Sequence, residues 1–317
     1  MKTETITIIG LGRTGVSVGL ALQKANLGVT IAGWDEERST LKEAQVAGAI
    51  DRGEGNLARA AASADILILA VPAQTVEKVL HVIGDQVREH VLVLDLSGLK
   101  GASQALAQKY LRQGHFVGAA PVLAAEALKG VPGARADLFQ NSVFCLMPAP
   151  DADPQAVETA VNVGSILGAQ PFFLDPAEYD SLMQGVQTVP GLLAAAMFRA
   201  ITQAAGWRDM LRFAGKPFVQ ATAALEDGEE VAHLALHDQP ATLRWLDALL
   251  VQIQEVRERV AEGDAERLTA LLQQLDLERD KWLHERAEND WEEIRAPEVT
   301  PVSFRQQMLG RWGEQDN

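Results

Sequence analysis

A short apolar strand that runs straight into a glycine-spaced turn leaves a chain few ways to fold. Here "TITIIG" leads into "GLGRTG", with glycines at 10, 12 and 15, and "GVSVGLALQKANL" continues as a helix with small residues on its packing side. The spacing is G-x-G-x-x-G, directly after a strand and opening a helix, which is the context a dinucleotide grip requires. In that setting Gly10 makes the tight turn, Gly12 lets a pyrophosphate approach the backbone, and Gly15 lets helix and strand pack closely. Arg13 and Thr14 complete the loop, and the helix start offers N–H groups and a positive dipole end to phosphate. The plainer alternative is a glycine turn with no ligand.

The pattern after this turn extends the unit. "VTIAGWD", "ADILILAVP", "HVLVLDLS", "HFVGAAP" and "SVFCLMP" read as further strands, and several are apolar without alternation, as in strands buried on both faces. "RSTLKEAQVAGA", "TVEKVLHVIGDQV" and "ASQALAQKYLRQ" read as the helices between them. Regular βαβ alternation predicts an α/β fold, a Rossmann-like doubly wound parallel sheet. Asp35 closes the second strand, 20 residues after Gly15. A carboxylate there accepts hydrogen bonds from an adenosine ribose and repels a 2′-phosphate, so NAD is favoured over NADP. Arg13 and Arg38 are the cations that would reverse this preference by pairing with a phosphate. Val71 and Pro72, in "LAVPAQ", stand where the nicotinamide side of such a cofactor passes.

Near "PFFLDPAEYD" the character changes, and no convincing strand follows Pro176. A long apolar helix is expected through "SLMQGVQTVPGLLAAAMFRAITQAA", with a kink at Pro190. Leu243, Leu246, Leu250, Ile253, Val256 and Val260 recur at helical spacing, and "AERLTALLQQLDLERDKWL" forms another helix after the break at "EGDAE". "EDGEE" is expected to be a solvated loop or a helix start. The expected organisation is a dinucleotide-binding domain over 1–175, an all-helical domain over 176–294 and an extended tail over 295–317. The helical domain can build only a small core, so its apolar stripes are expected to pack against a second copy, giving a homodimer.

Net charge narrows the partners. The chain carries 28 Lys+Arg against 43 Asp+Glu, a net charge of −15. Residues 1–175 contain 14 basic and 18 acidic residues, which leaves 14 and 25 for residues 176–317. The second half thus supplies −11 of the total, which argues against nucleic acid or an anionic membrane as partner. No apolar run reaches membrane-spanning length. A strand that starts at once and enters a glycine turn does not read as a secretory signal. The one cysteine, Cys145, lies in an apolar run, as expected of a buried, inert thiol in a reducing cytoplasm. His233 and His237 stand at i and i+4 in "HLALH", but no third ligand is evident, so no metal is expected.

Taken together, "GLGRTGVSVGLAL", "IAGWD", "ADILILAVP", "LDLSGLKG", "FVGAAPVLAAEALKG…ADLFQN" and "GWRDMLRFA" resemble, in order and spacing, segments of the prephenate/arogenate dehydrogenase family of tyrosine biosynthesis. The resemblance runs from Ile6 to about Trp282. It implies a Rossmann-like domain, a helical dimerisation domain, and hydride transfer to NAD(P) coupled to loss of CO₂ from a small carboxylate substrate. It places Lys100, Glu126, Arg208 and Arg212 on family positions, with Glu126, Arg208 and Arg212 toward the substrate. Arg212 matches the arginine that pairs with a substrate carboxylate; an ion pair with Asp209 is the competing reading.

The departures fall on the catalytic positions. The family's histidine before Pro-Met is Ala120, and its serine two residues before the lysine is Gly98, with Ser97 one place early. Its S-H-L-P-H segment reads "QTVPG", so two histidines become Thr188 and Gly191. Ser97, Lys100, Tyr179 and Asp180 remain as candidate catalytic groups, with Ser97 also beside the cofactor. For Tyr179 and Asp180 the alternatives are a helix-start aromatic and a helix-start carboxylate favoured by the dipole. Three functions stay open: a dehydrogenase of this pathway with substituted acid/base groups, a dehydrogenase or imine reductase of another small carboxylate, and an NAD(H)-binding protein without turnover.

Overall fold

The structure is a computed structural model, and it describes residues 3–124, 127, 133–225 and 227–288. Glu126 and the expected tail over 295–317 lie outside the described residues. Two compact units emerge. One contains the chain through Pro176 together with the C-terminal end of the last helix from Asp280; the other is Ala177–Arg279.

The first unit is an eight-stranded sheet in the order β3-β2-β1-β4-β5-β6-β7-β8. Its strands are β1 (Thr5–Ile9), β2 (Thr30–Trp34), β3 (Arg52–Gly53), β4 (Ile66–Leu69), β5 (Leu92–Asp95), β6 (His115–Val122), β7 (Val143–Pro148) and β8 (Gln170–Phe173). Among the described residues its helices include α1 (Arg13–Ala25), α2 (Arg38–Val46), α3 (Leu57–Ala62), α4 (Val76–Ile83), α5 (Lys100–Tyr110) and α6 (Pro154–Ile166). The unalternating runs have the expected cause. Ile66 and Ile68 of β4 join the core cluster that includes Val18 and Leu22 of α1 and Val163 of α6. Leu67 and Leu69 join the opposite cluster, with Leu57 of α3 and Val76, Val79 and Leu80 of α4. Each such side chain removed from water stabilises the fold by roughly 1.5–3 kcal/mol.

The expected parallel sheet is present, with one departure. The sheet is not wholly parallel, because β7 runs antiparallel to β6, with Val122 opposite Val143 and Ala120 opposite Cys145. The chain re-enters the sheet at the end where it left, and such a return needs no crossover. The edge strands β3 and β8 were also unexpected. The first is two residues long and exposed. The second is only partly buried, so it lacks the continuous apolar run of a central strand.

The second unit is helical: α7 (Pro176–Met183), α8 (Val189–Thr202), α9 (Trp207–Arg212), α10 (Lys216–Thr222), α11 (Gly228–His237), α12 (Gln239–Glu262) and α13 (Ala265–Glu288), whose last turns belong to the first unit. Pro190 does not break the expected long helix. It falls in the first turn of α8, after a π-helical turn over Gln184–Thr188. Proline has no N–H to give a preceding carbonyl, and a wider turn adjusts the hydrogen-bond register around it. Asp227 caps α11 through the N–H groups of Glu229 and Glu230, so that acidic stretch is a helix start. Gly263, at φ +70°, ends α12 at the expected break.

Candidate active site

The glycine turn lies at the C-terminal edge of β1, between β2 and β4, where the strand order reverses. Gly10 has φ +91°, and its N–H donates to the carbonyl of Trp34 at 2.9 Å. A Cβ on Gly10 would stand 2.5 Å from the carbonyl oxygen of Ala70. A Cβ on Gly15 would stand 1.9 Å from the oxygen of Gly10. Both positions therefore hold the turn against its neighbours. Gly12 differs: a Cβ there would meet nothing within 4 Å among the described residues. The approach of a diphosphate to the backbone needs room of this kind. Whereas Asn56 and Asp153 cap α3 and α6 with side-chain oxygens, Gly12 brings no side-chain acceptor to the start of α1.

Asp35 is held at this turn. Its Oδ2 accepts the N–H of Leu11 at 2.8 Å, and its Oδ1 accepts the N–H of Glu37 at 2.9 Å. Each carboxylate oxygen keeps a lone pair for a ribose hydroxyl. Arg13 is exposed and its Nε donates to the carbonyl of Gly133 at 3.2 Å. Thr14 is half-buried in the first turn of α1, Val71 is buried against Gly10, and Pro72 is exposed. The sequence-predicted cofactor residues thus gather along one edge of the sheet. These residues fit a dinucleotide: open room over Gly12, an uncapped helix start and a braced carboxylate beside them.

Ser97 and Lys100 lie in a buried polar cluster at the end of β5. The Lys100 ammonium donates to the backbone oxygen of Asp95 at 2.8 Å and to its Oδ2 at 3.1 Å. Both side chains are wholly removed from solvent. The Ser97 hydroxyl donates to Asp95 Oδ2 at 2.9 Å and stands 3.1 Å from the hydroxyl of Ser103. Ser103 in turn donates to the carbonyl of Leu99. The sequence reading missed Ser103. Its only signal is its place on the packing face of α5, four residues before Ala107. Ala120 is buried on β6, opposite Cys145. Burial pushes the Cys145 thiol up to about 11, which keeps it protonated and inert despite the nearby Lys100 charge.

In the helical unit, Tyr179 and Asp180 are buried on α7, and Thr188 is buried in the π-helical turn. Gly191 is enclosed: a Cβ there would stand 2.9 Å from a Val231 methyl and 3.1 Å from the carbonyl of Ala224. Arg208 and Arg212 are exposed on α9. Arg212 makes the competing ion pair with Asp209, but at 3.9 Å and with both side chains 76% exposed, so solvent screens it. His233 and His237 are exposed on α11, and among the described residues no group of three or more His, Cys, Asp or Glu is placed to hold a metal.

Comparison with known proteins follows this division. Residues 18–171 match the family described as prephenate dehydrogenase, nucleotide-binding domain, and residues 175–274 match prephenate dehydrogenase, dimerization domain. The chain belongs to the prephenate dehydrogenase family. Among its relatives, the prephenate dehydrogenase of Bacillus subtilis is 27% identical over 84% of this chain and 72% of its own length. The cyclohexadienyl dehydrogenase of Zymomonas mobilis is 22% identical over 83% of this chain and 90% of its own. The crystal structure of A. aeolicus prephenate dehydrogenase, in complex with hydroxyphenyl propionate and NAD+, shares the fold. Its TM-score is 0.77 at 20% identity, over 89% of this chain and 99% of that one. In this prephenate dehydrogenase family member, the two matched regions correspond to the sheet-bearing part and the helical part of the chain. No helix among the described residues is long and apolar enough to cross a membrane.

Proposed function

We propose that the protein is an NAD-dependent dehydrogenase of a small carboxylate, with prephenate and arogenate the first substrates to test, acting as a homodimer. The observation that carries this reading is the glycine turn with open space over Gly12 and Asp35 braced beside it, in a chain of this family. NAD supplies the two-electron hydride acceptor. Gly10, Gly12, Arg13, Thr14 and Gly15 hold the diphosphate, Asp35 holds the adenosine ribose, and Val71 and Pro72 border the nicotinamide side. Ser97 and Lys100 serve as positioning residues. The serine hydroxyl and the ammonium both bond Asp95, and together they set the end of β5. Arg208 and Arg212 are assigned to the substrate as bidentate partners for carboxylate, and Glu126 is assigned there by the family resemblance alone.

Loss of a hydride from an alcohol carbon requires that the hydroxyl proton leave as well. Tyr179 and Asp180 are the groups assigned to that proton, since Ala120, Thr188 and Gly191 stand where the resemblance places the family's histidines. A positioned base contributes ~10²–10⁴-fold. The test is NADH formation with prephenate and with arogenate, alongside titration of NAD(H). Asp180→Asn or Tyr179→Phe should lower turnover at least ~10²-fold with NAD(H) affinity unchanged.

A second reading draws on Ala120 and Gly191. Both are enclosed by packing and carry no proton acceptor, which favours another small carboxylate substrate or NAD(H) binding without turnover. Tight NADH binding with no turnover of prephenate or arogenate would select it. A panel of hydroxy and amino acids then separates the two forms of that reading.

Three assignments complete the proposal. The domains are 1–175 and 176–294, with a tail over 295–317. The copies meet through the helical domain. The protein works in the cytoplasm, where a lone buried thiol such as Cys145 is at home.

A further inference from the structure

Beside Asp35, the next residue is committed to a partner from another part of the fold. Glu36 Oε1 accepts from the ammonium of Lys78 at 2.8 Å. Glu36 follows β2, and Lys78 lies in the first turn of α4, which follows β4. The two side chains are 67% and 64% exposed. An ion pair this exposed contributes little to folding. It does set the charge that a ligand meets beside Asp35.

A phosphate on the adenosine 2′-oxygen would arrive here carrying close to two negative charges. It would meet Asp35, Glu36 and Glu37 in succession. Of the cations near this edge, Arg13 already donates to the carbonyl of Gly133, Arg38 opens α2 after the three acids, and Lys78 is neutralised by Glu36. We propose that Lys78 is a latent 2′-phosphate acceptor and that Glu36, by holding it, is a specificity-determining residue for NAD alongside Asp35. This rests on the reading that the chain binds NAD(H).

The test uses the full chain and titrates NADH and NADPH by nucleotide fluorescence, with thermal melts as a check on folding. Glu36→Gln should strengthen NADPH binding about tenfold and leave NADH within about twofold, at unchanged Tm. The gain should vanish in Glu36→Gln/Lys78→Met, persist in Glu36→Gln/Arg38→Gln, and shrink as salt is raised. An unchanged NADPH to NADH ratio in Glu36→Gln overturns the inference. So does a gain that survives Lys78→Met, which would trace to removal of the acid alone, or one lost with Arg38→Gln, which would assign the phosphate to Arg38. Wild-type protein that binds neither dinucleotide overturns the cofactor reading itself. That outcome is visible before any variant is made, so the two failures are distinct.

Discussion

The two units solve the burial problem differently. Before Pro176, the only large hydrophobic side chains exposed among the described residues are Val46, Val82 and Phe173. The helical unit leaves Val186, Phe213, Leu236, Leu243, Leu250 and Val251 exposed, each by more than half. The two long helices sharpen the contrast. In α12, 24 residues long, only Ala241 and Thr242 at its start are buried, and none of the described side chains of α13 is buried. A sheet covered on both faces closes its own core. The long helices α12 and α13 keep apolar side chains exposed, and large exposed apolar patches are the kind of surface that interfaces use. Both units bury polar groups: the sheet unit holds the Asp95–Lys100 ion pair, and the helical unit holds Asp180 and a network in which Gln184 bonds Thr242 and the carbonyl of Leu234.

The largest expected effect breaks the sheet unit from within. Lys100→Met leaves the Asp95 carboxylate buried without its cation, a change that costs ~3–5 kcal/mol. Urea unfolding should show that loss. The double change Asp95→Asn/Lys100→Met should recover much of it, because no uncompensated charge remains. Equal stability of wild type and Lys100→Met would mean that the pair does not hold the end of β5.

The next effect probes the helical side. Leu250→Asp with Ile253→Asp places two charges on the exposed stripe of α12 and should weaken self-association at least ~100-fold. Light scattering at micromolar concentration should then report the monomer mass, with the fold of the sheet unit unchanged. A dimer that survives the double change would move the interface off α12.

Asp35→Ala removes the acceptor for the N–H groups of Leu11 and Glu37 and the proposed ribose ligand together. NAD(H) affinity should fall by ~tenfold or more, with stability lowered by ~1–2 kcal/mol. Calorimetric titration checks the first and thermal unfolding the second. Unchanged affinity would remove Asp35 from the cofactor site.

The smallest effect lies at the opposite end of the sheet. Burial raises the Asp65 carboxyl, but N–H bonds from Glu4 and Thr5 and the Arg88 guanidinium outweigh it, so the group titrates below its ordinary 3.8. A folded value below the unfolded one adds stability above about pH 4, which is lost as pH falls through the folded value. Asp65→Asn should therefore lower stability by about 1 kcal/mol or less near neutrality, and the gap to wild type should close in acid. A gap that widens on acidification would reverse the sign and refute the assignment.

How much of this was legible depends on how far apart the interacting residues lie. The glycine turn, the central strands, the helices α12 and α13 and the candidate cofactor positions from Gly10 to Asp35 are local patterns, and a local pattern reports the conformation of the residues that carry it. The family resemblance was also readable, since ordered short motifs carried it. The reversed direction of β7 and the two edge strands were not, because strand pairing is a contact between distant segments with no local period. Ser103 escaped for a related reason. It is one small polar residue on a packing face, and only the meeting of α5 with the end of β5 makes it a partner of Ser97.

The sequence by itself determined a strand–glycine turn–helix grip, a sheet-bearing first half and a helical second half, because backbone sterics and hydrophobic period act within a few residues. Only the tertiary structure decided that Lys100 is paired in the dark with Asp95, that Gly191 is walled in by Val231, and that Glu36 holds a lysine 42 residues away. Burial and charge pairing are properties of the space around a side chain, and the fold of the surrounding backbone sets that space whether the partner lies 5 residues away, as for Lys100 and Asp95, or 42, as for Lys78 and Glu36.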